Sequence, residues 1–236
     1  DNQAAAFELY AYANDLANKR RENPQDDLIT RLINAEIIGD DGEPTVLNEQ
    51  EIDGFMLLMA VAGNETTRNA TSHGLWALIE HPDQFDLLKS NTEGLIDTAV
   101  DEIVRFASPV LHFRRTATQD TEINGQKISA GDKIVMWHVS ANRDDSEFEN
   151  PFSLDIRRSP NNHVGFGGGG PHFCLGANLA RLELKIIFEE LCRRMPDVSL
   201  DGQPSRLRSN FINGVKHMPI SFTPGDKVNP EPNFDN

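Results

Sequence analysis

The residues of this sequence best suited to chemistry gather around one of its two cysteines. Cys174 lies in the run Phe166-Gly167-Gly168-Gly169-Gly170-Pro171-His172-Phe173-Cys174-Leu175-Gly176, which leads into Ala177-Asn178-Leu179-Ala180-Arg181. Successive glycines leave a backbone free to turn sharply and to approach a flat partner closely. A helix predicted from Leu175 to Met195 puts Cys174 just ahead of free N–H groups and a positive dipole end, which favour thiolate over thiol. A thiolate so placed can be an axial ligand to haem iron or a nucleophile; if the glycines are only a hinge, the cysteine is an inert buried residue. A phosphate-binding loop lacks support, because no Gly-Lys-Ser/Thr ending follows.

Three further clusters combine residues that act on protons or charges. In Ala62-Gly63-Asn64-Glu65-Thr66-Thr67-Arg68-Asn69, polar Glu65 and Thr66 directly follow the apolar run Phe55 to Ala62. An acid beside a hydroxyl can pass protons. The plain alternatives are a solvent-facing stripe, or a Thr hydroxyl bonded to the carbonyl four residues back. Gly63 inside a helix costs about 1 kcal/mol against Ala. Glu102-Ile103-Val104-Arg105 puts an acid and a base on one helix face, a pairing that is usually exposed and weak. His112-Phe113-Arg114-Arg115 offers two guanidiniums, either solvated or able to grip an anion bidentately. Cys192 belongs to no cluster and reads as a core residue of the final helix.

Hydrophobic spacing predicts the elements that position these side chains. Phe7, Leu9, Tyr10, Ala13, Leu16 and Ala17 give a helix over 4–21, ended by Lys19-Arg20-Arg21 and Pro24. Asp26-Asp27 opens a second helix from Leu28 to Glu36, and Gly39 to Pro44 reads as a turn-rich loop. Asn48, with Glu51 three positions on, forms a capping box for a long helix from Glu49 to Glu80. His81-Pro82 stops it. Helices over 82–90 and 95–106 follow. Beyond Pro109 the pattern changes, and 116–118, 122–128 around Asn124-Gly125, and 133–139 read as short strands joined by turns. Ser140 to His163 is irregular and polar, and 204–222 holds two short strands. The fold class is mainly α with small antiparallel β-sheets, and 224–236 is expected to be a disordered tail.

The totals narrow the field. A hydrophobic share of 38% with 25% charged residues is that of a folded protein. A net charge of −15 argues against nucleic acid as a partner, since phosphate affinity comes from Lys and Arg. No window approaches the roughly 20 apolar residues of a membrane span, so no transmembrane anchor is expected in this chain. Two cysteines without a CxxC pair favour a reducing, cytoplasmic setting. The chain begins at Asp1, with neither Met nor a signal-like stretch, so an upstream portion is expected.

Together with the loop Phe148-Glu149-Asn150-Pro151, three of these clusters resemble the motifs of the cytochromes P-450, haem-thiolate monooxygenases, and they stand in that family's order: acid–alcohol helix, Glu-x-x-Arg, Phe-x-x-Pro loop, cysteine loop. The glycine run is one residue longer than usual. In that respect it is similar to loops of bacterial enzymes that oxidise steroid side chains and methyl-branched lipids. The resemblance covers nearly the whole chain, from Ala4 to about Phe222. It implies the cytochrome P-450 fold with its N-terminal part absent, residues 1–223 being the C-terminal haem-binding part of one domain.

The cofactor implied is haem b, with Cys174 as its axial ligand and dioxygen as co-substrate. Phe166, Gly167, His172, Gly176 and Ala180 would surround the haem on the cysteine side, and Ala62 and Gly63 on the other. Arg115 and His172 match partners of the propionates. Gly63 would leave room for dioxygen, Thr66 would hydrogen-bond it, and Glu65 would relay protons, making Glu65 and Thr66 the catalytic pair. Val61, Val110, Leu111, Phe113 and Ile212 would line the substrate cavity. Glu102, Arg105 and Arg158 match a buried structural triad, with Arg158 drawn from the loop Phe148-Glu149-Asn150-Pro151-Phe152.

The reaction implied is hydroxylation of an unactivated C–H in a steroid side chain, isoprenoid or methyl-branched lipid. Electrons would come from a ferredoxin and ferredoxin reductase. Terminal alkane, fatty-acid and monoterpenoid hydroxylases fit the same patterns. A haem-thiolate isomerase or dehydratase, or a haem sensor, belongs to a different class; the acid–alcohol pair counts against the isomerase and dehydratase.

Overall fold

Local caps set the helix boundaries in the computed structural model, which describes residues 2–39 and 41–225. Helix α1 (Asn2–Glu22) ends in Lys19, Arg20 and Arg21, cations that suit the negative end of the helix dipole. The Asp27 side chain accepts from Thr30 N at 2.8 Å and starts α2 (Leu28–Ile33). At α3 (Glu49–Glu80) both halves of the capping box form. Asn48 N donates to Glu51 Oε2 at 2.8 Å, and Glu51 N to Asn48 Oδ1 at 3.0 Å.

Two compact units divide between Glu65 and Thr66, inside α3. The first packs Ala13, Ala17, Ile29 and Ile52 out of solvent. Asn14 Nδ2 donates to Asp53 Oδ2 at 3.0 Å, and Arg20 pairs with Asp27. Here two expectations need correction. Helix α2 stops at Ile33, where Asn34 Nδ2 turns back onto Thr30 O, and does not reach Glu36. The stretch beyond it is an antiparallel hairpin of β1 (Glu36–Ile38) and β2 (Pro44–Val46), in register from Glu36↔Val46 to Ile38↔Pro44. The predicted loop 39–44 is therefore mostly the hairpin's tip. All six strand residues are exposed, so no alternating burial marked them in the sequence.

The second unit is built on α5 (Thr92–Ala107), which buries Ile96, Ala99, Val100, Ile103 and Val104 along one face. Against it lie α4 (Pro82–Ser90), through Phe85 and Leu88, and α7 (Ala177–Arg194), through Leu184, Phe188 and Cys192. The close approach of α3 depends on Gly74. A Cβ there would sit 2.6 Å from Ile103 Cγ2 and 2.7 Å from Phe188 Cζ.

Small sheets occupy the rest. Strand β3 (His112–Thr116) pairs antiparallel with β6 (Lys133–Trp137), His112 opposite Trp137. Between them, β4 (Thr121–Ile123) and β5 (Gln126–Ile128) form the predicted Asn124-Gly125 hairpin, with φ of 50° and 80° at the turn. The first strand thus begins at His112, four residues before its predicted start. The strand predicted over 133–139 gives way at His138 to a short helix, α6 (His138–Ala141). The C-terminal stretch holds more strands than expected: β7 (Ser199–Leu200) pairs with β10 (Ile220–Ser221), and β8 (Ser205–Arg206) with β9 (Val215–His217). Residues 226–236, most of the predicted tail, lie outside the described residues. Among the described residues no helix is long and apolar enough to cross a membrane.

Side chains on α3 anchor this last hairpin. Val215 N donates to Asn69 Oδ1 at 3.0 Å, and His73 Nε2 donates to Asn213 O at 2.9 Å. Burial first, then the Arg206 charge, lowers the His73 pKa to about 4 despite the bond to Asn213. The unfolded chain takes up that proton near pH 6.5. Folding is therefore favoured in full above pH 6.5 and progressively less as pH falls to 4, a loss on the order of 3 kcal/mol. His73→Gln keeps a donor for Asn213 O and cannot titrate. Denaturant midpoints measured between pH 4 and 7 are expected to fall less steeply in this variant than in the parent, and parallel slopes would refute the assignment.

Candidate active site

Cys174 sits where a glycine loop meets the start of α7. Gly167, Gly169 and Gly170 have φ of 94°, 95° and 75°, conformations that L side chains rarely adopt. Gly167 N donates to Val164 O, and Cys174 N to Phe166 O, both at 2.9 Å. These bonds close the loop beneath the cysteine. Gly176 is the N-cap of α7, and Ala177 N donates to Cys174 O at 3.2 Å. The thiol-bearing residue is exposed, flanked by Phe173 at 47% and Leu175 at 78% exposure, with Leu179 at 53% one turn on. A Cβ at Gly168, Gly169, Gly170 or Gly176 would meet nothing within 4 Å. An open, glycine-paved face around one thiol, bordered by uncovered apolar side chains, fits a flat and largely apolar group such as haem. His172 is exposed on the same loop, and Ala180 is half-buried on α7.

The second cysteine has no such setting. Cys192 is buried in the core of the second unit, and burial pushes its thiol pKa up.

The loop is held from behind by groups that sequence reading did not single out. His163 Nδ1 accepts from Gly165 N at 3.1 Å, and its Nε2 faces Asp101 Oδ1 at 3.4 Å. Arg181 Nε donates to the same oxygen at 2.8 Å, and its guanidinium lies 4.5 Å from the Phe166 ring centroid. Burial pushes the Asp101 pKa up, but His163 and Arg181 more than offset it, and the net shift is downward. Asn142, fully buried, accepts from Val164 N at 2.8 Å and donates to Ser108 Oγ at 2.9 Å. The sole hint of these roles was a His and an Asn inside a stretch that otherwise reads as polar and irregular.

Glu102 and Arg105 are both 0% exposed. Arg105 donates to Glu102 through Nε at 2.7 Å and Nη2 at 2.8 Å. Its remaining bonds go to the carbonyls of Asn142, Pro151 and Ser153. Arg158 Nε reaches Glu102 Oε2 at 3.1 Å, and Asp155 N and Asn161 Nδ2 complete the carboxylate's partners. The pair that the sequence shows as an ordinary i, i+3 contact is thus the centre of a buried network joining α5 to the loop over 149–161.

The residues expected to line a substrate cavity fall into two groups. Val110 bridges Ile212, Leu111 N donates to Phe211 O at 2.9 Å, and the Phe113 and Phe211 rings are 5.7 Å apart. The structure therefore brings Val110, Leu111, Phe113 and Ile212 together from segments 100 residues apart in the chain. Phe113 remains 42% exposed. Arg115, half-buried on β3, has no carboxylate partner among the described residues and is free to take an anionic group. Val61, Ala62 and Gly63 are exposed on α3, and Glu65 and Thr66 are half-buried.

Comparison with known proteins agrees with this geometry. The family model for cytochrome P-450 matches residues 3–196. A methyl-branched lipid omega-hydroxylase of Mycobacterium bovis is 53% identical over 216 residues, covering 92% of this chain and 49% of that protein. A steroid C26-monooxygenase of Rhodococcus jostii is 49% identical over 222 residues, covering 94% and 45%. A Mycobacterium marinum cytochrome P-450 solved in complex with pseudoionone superposes with a TM-score of 0.85 at 48% identity, covering 92% of this chain and 51% of that one. The chain spans about half the length of the curated relatives it matches. With the glycine loop, its exposed cysteine and the buried Glu102–Arg105–Arg158 network all in place, this chain belongs to the cytochrome P-450 family.

Proposed function

We propose that the full-length protein is a haem-thiolate monooxygenase that hydroxylates a terminal C–H of a steroid side chain, isoprenoid or methyl-branched lipid. The observation that carries this reading is the exposed Cys174 on its glycine loop, set in apolar surroundings at the start of α7. Haem, when bound, supplies the reductive activation of dioxygen by two electrons. Cys174 Sγ would hold the haem iron, and a thiolate there favours O–O cleavage. Arg115 and His172 would hold the propionates, and the glycine loop would let the backbone lie close to the ring. Residues 1–223 form the C-terminal, haem-binding part of a single domain.

Glu65 and Thr66 would hold and deliver protons. Val110, Leu111, Phe113 and Ile212 present an apolar surface to the substrate, and Val61 is a further substrate-facing residue on its own unit. A ferredoxin, reduced by its reductase in the cytoplasm, supplies the electrons. The names of the relatives support lipid or steroid as the substrate class.

The test is turnover of the full-length protein with ferredoxin, ferredoxin reductase and a reduced nicotinamide. A methyl-branched fatty acid and a cholestane-type ketone are the substrates, with products located by mass spectrometry. Hydroxylation at a terminal methyl is expected; uncoupled reduction with both substrates and no hydroxylated product would overturn the proposal. Thr66→Ala is expected to leave substrate affinity intact while diverting most reducing equivalents to hydrogen peroxide. Coupling of electrons to product equal to that of the parent would remove Thr66 from the proton path.

A further inference from the structure

One carboxylate oxygen holds two chain segments that flank Cys174 in sequence. Asp101 projects from α5, and its Oδ1 accepts from Arg181 Nε at 2.8 Å and faces His163 Nε2 at 3.4 Å. His163 precedes the glycine loop, and Arg181 lies beyond it on α7. The His163 side chain is 3% exposed, so its ring nitrogens depend on protein partners. Gly165 N donates to Nδ1 at 3.1 Å, which in a neutral imidazole puts the proton on Nε2, toward Asp101.

Both arms meet at Phe166. Its ring centroid is 5.7 Å from that of His163 and 4.5 Å from the Arg181 guanidinium. Phe166 O in turn accepts from Cys174 N at 2.9 Å. The glycines at 167, 169 and 170 give the loop no side chains with which to hold itself, so its rigidity comes from outside. Groups behind a metal ligand orient it, and their loss is felt at the metal. Between the same two helices, Lys185 Nζ meets Asp97 Oδ1 at 2.9 Å, a pair whose bonds do not include the loop.

We propose that Asp101 is a positioning residue for the Cys174 thiolate. By tying His163 and Arg181 to one oxygen it fixes Phe166, and through the bond from Cys174 N to Phe166 O it fixes the cysteine. This role presupposes Cys174 as the haem ligand.

The test uses full-length, haem-loaded protein and reads the iron–sulfur bond, not turnover. Two quantities are measured: the iron–sulfur stretching frequency of the ferric protein by resonance Raman, and the rate at which the ferrous–CO complex loses its thiolate-type Soret band. Asp101→Ala is expected to lower the frequency and to speed the loss about tenfold, as for removal of a hydrogen bond to a charged acceptor. Asp101→Asn keeps an acceptor oxygen in place and is expected to stay within about threefold of the parent rate. Asp97→Ala cuts only the Lys185 pair and is expected to match the parent in both quantities. Should Asp101→Ala fail to fold, Arg181→Gln cuts one arm at a part-exposed side chain and is expected to move both quantities in the same direction. Parent-like values in Asp101→Ala or, where that variant does not fold, in Arg181→Gln, loss in Asp101→Asn as fast as in Asp101→Ala, or equal changes in Asp97→Ala would overturn the positioning role and leave Cys174 as the ligand. A parent protein without the thiolate-type band would refute the ligand assignment, and the role of Asp101 with it.

Discussion

Cys174→Ser in the full-length protein is expected to abolish the strongly red-shifted Soret band that reduced haem-thiolate proteins give with carbon monoxide, whereas Cys192→Ser is expected to leave it intact. The two thiols differ in everything that governs ligation. Cys174 is exposed on a loop whose glycines adopt positive φ and leave an open face beside it. Cys192 packs in the core with Phe188 and Leu88, and its burial favours the uncharged thiol. A serine hydroxyl at position 174 stays protonated near neutral pH and cannot replace a thiolate. The effect is all or none in the spectrum, and it separates haem ligation from substrate chemistry. Survival of the band in Cys174→Ser, or its loss in Cys192→Ser, would exclude the assignment.

Glu102→Gln is expected to cost at least 3–5 kcal/mol, about the range for breaking a buried ion pair by removing one partner. The amide keeps the shape but removes the charge that compensates Arg105, itself wholly buried, and Arg158, whose side chain is 10% exposed. One carboxylate oxygen also becomes an NH2 facing donors, since Arg105, Arg158, Asp155 and Asn161 all donate to it. Set against a usual total of roughly 5–15 kcal/mol, such a loss leaves a domain close to unfolding. Denaturant titration of the full-length protein is the measurement, with haem content as a second readout. Glu190→Gln serves as the control: that carboxylate pairs with Arg193 and Arg194 on the surface of α7, and its loss is expected to leave the midpoint in place. A Glu102→Gln midpoint equal to that of the control would show the network to be dispensable.

Features set by neighbours within one or two helical turns were legible from residue order. The Asn48–Glu51 capping box, the limits of α3 and α4 at His81-Pro82, and the Asn124-Gly125 turn all formed as expected, because each depends on side chains a few positions apart. So did the placement of Glu102 and Arg105 on one face of α5. The motifs that mark the family were likewise visible as residue types in order.

Tertiary structure alone decided what those local features do. Strand β3 begins at His112 because Trp137 pairs with it; the local pattern favoured Thr116 to Thr118. The β1–β2 hairpin escaped notice because both strands are exposed and show no alternation. Glu102 becomes a hub through Arg158 and Asn161, more than 50 residues away. Asp101, His163 and Arg181 converge behind the cysteine loop from three separate segments. Residue order fixes the periodicities and caps of a chain, since these need only neighbours. Partners brought together by closing long loops are set by packing and by the need of every buried charge for a counterpart, and these are decided only when the whole unit folds.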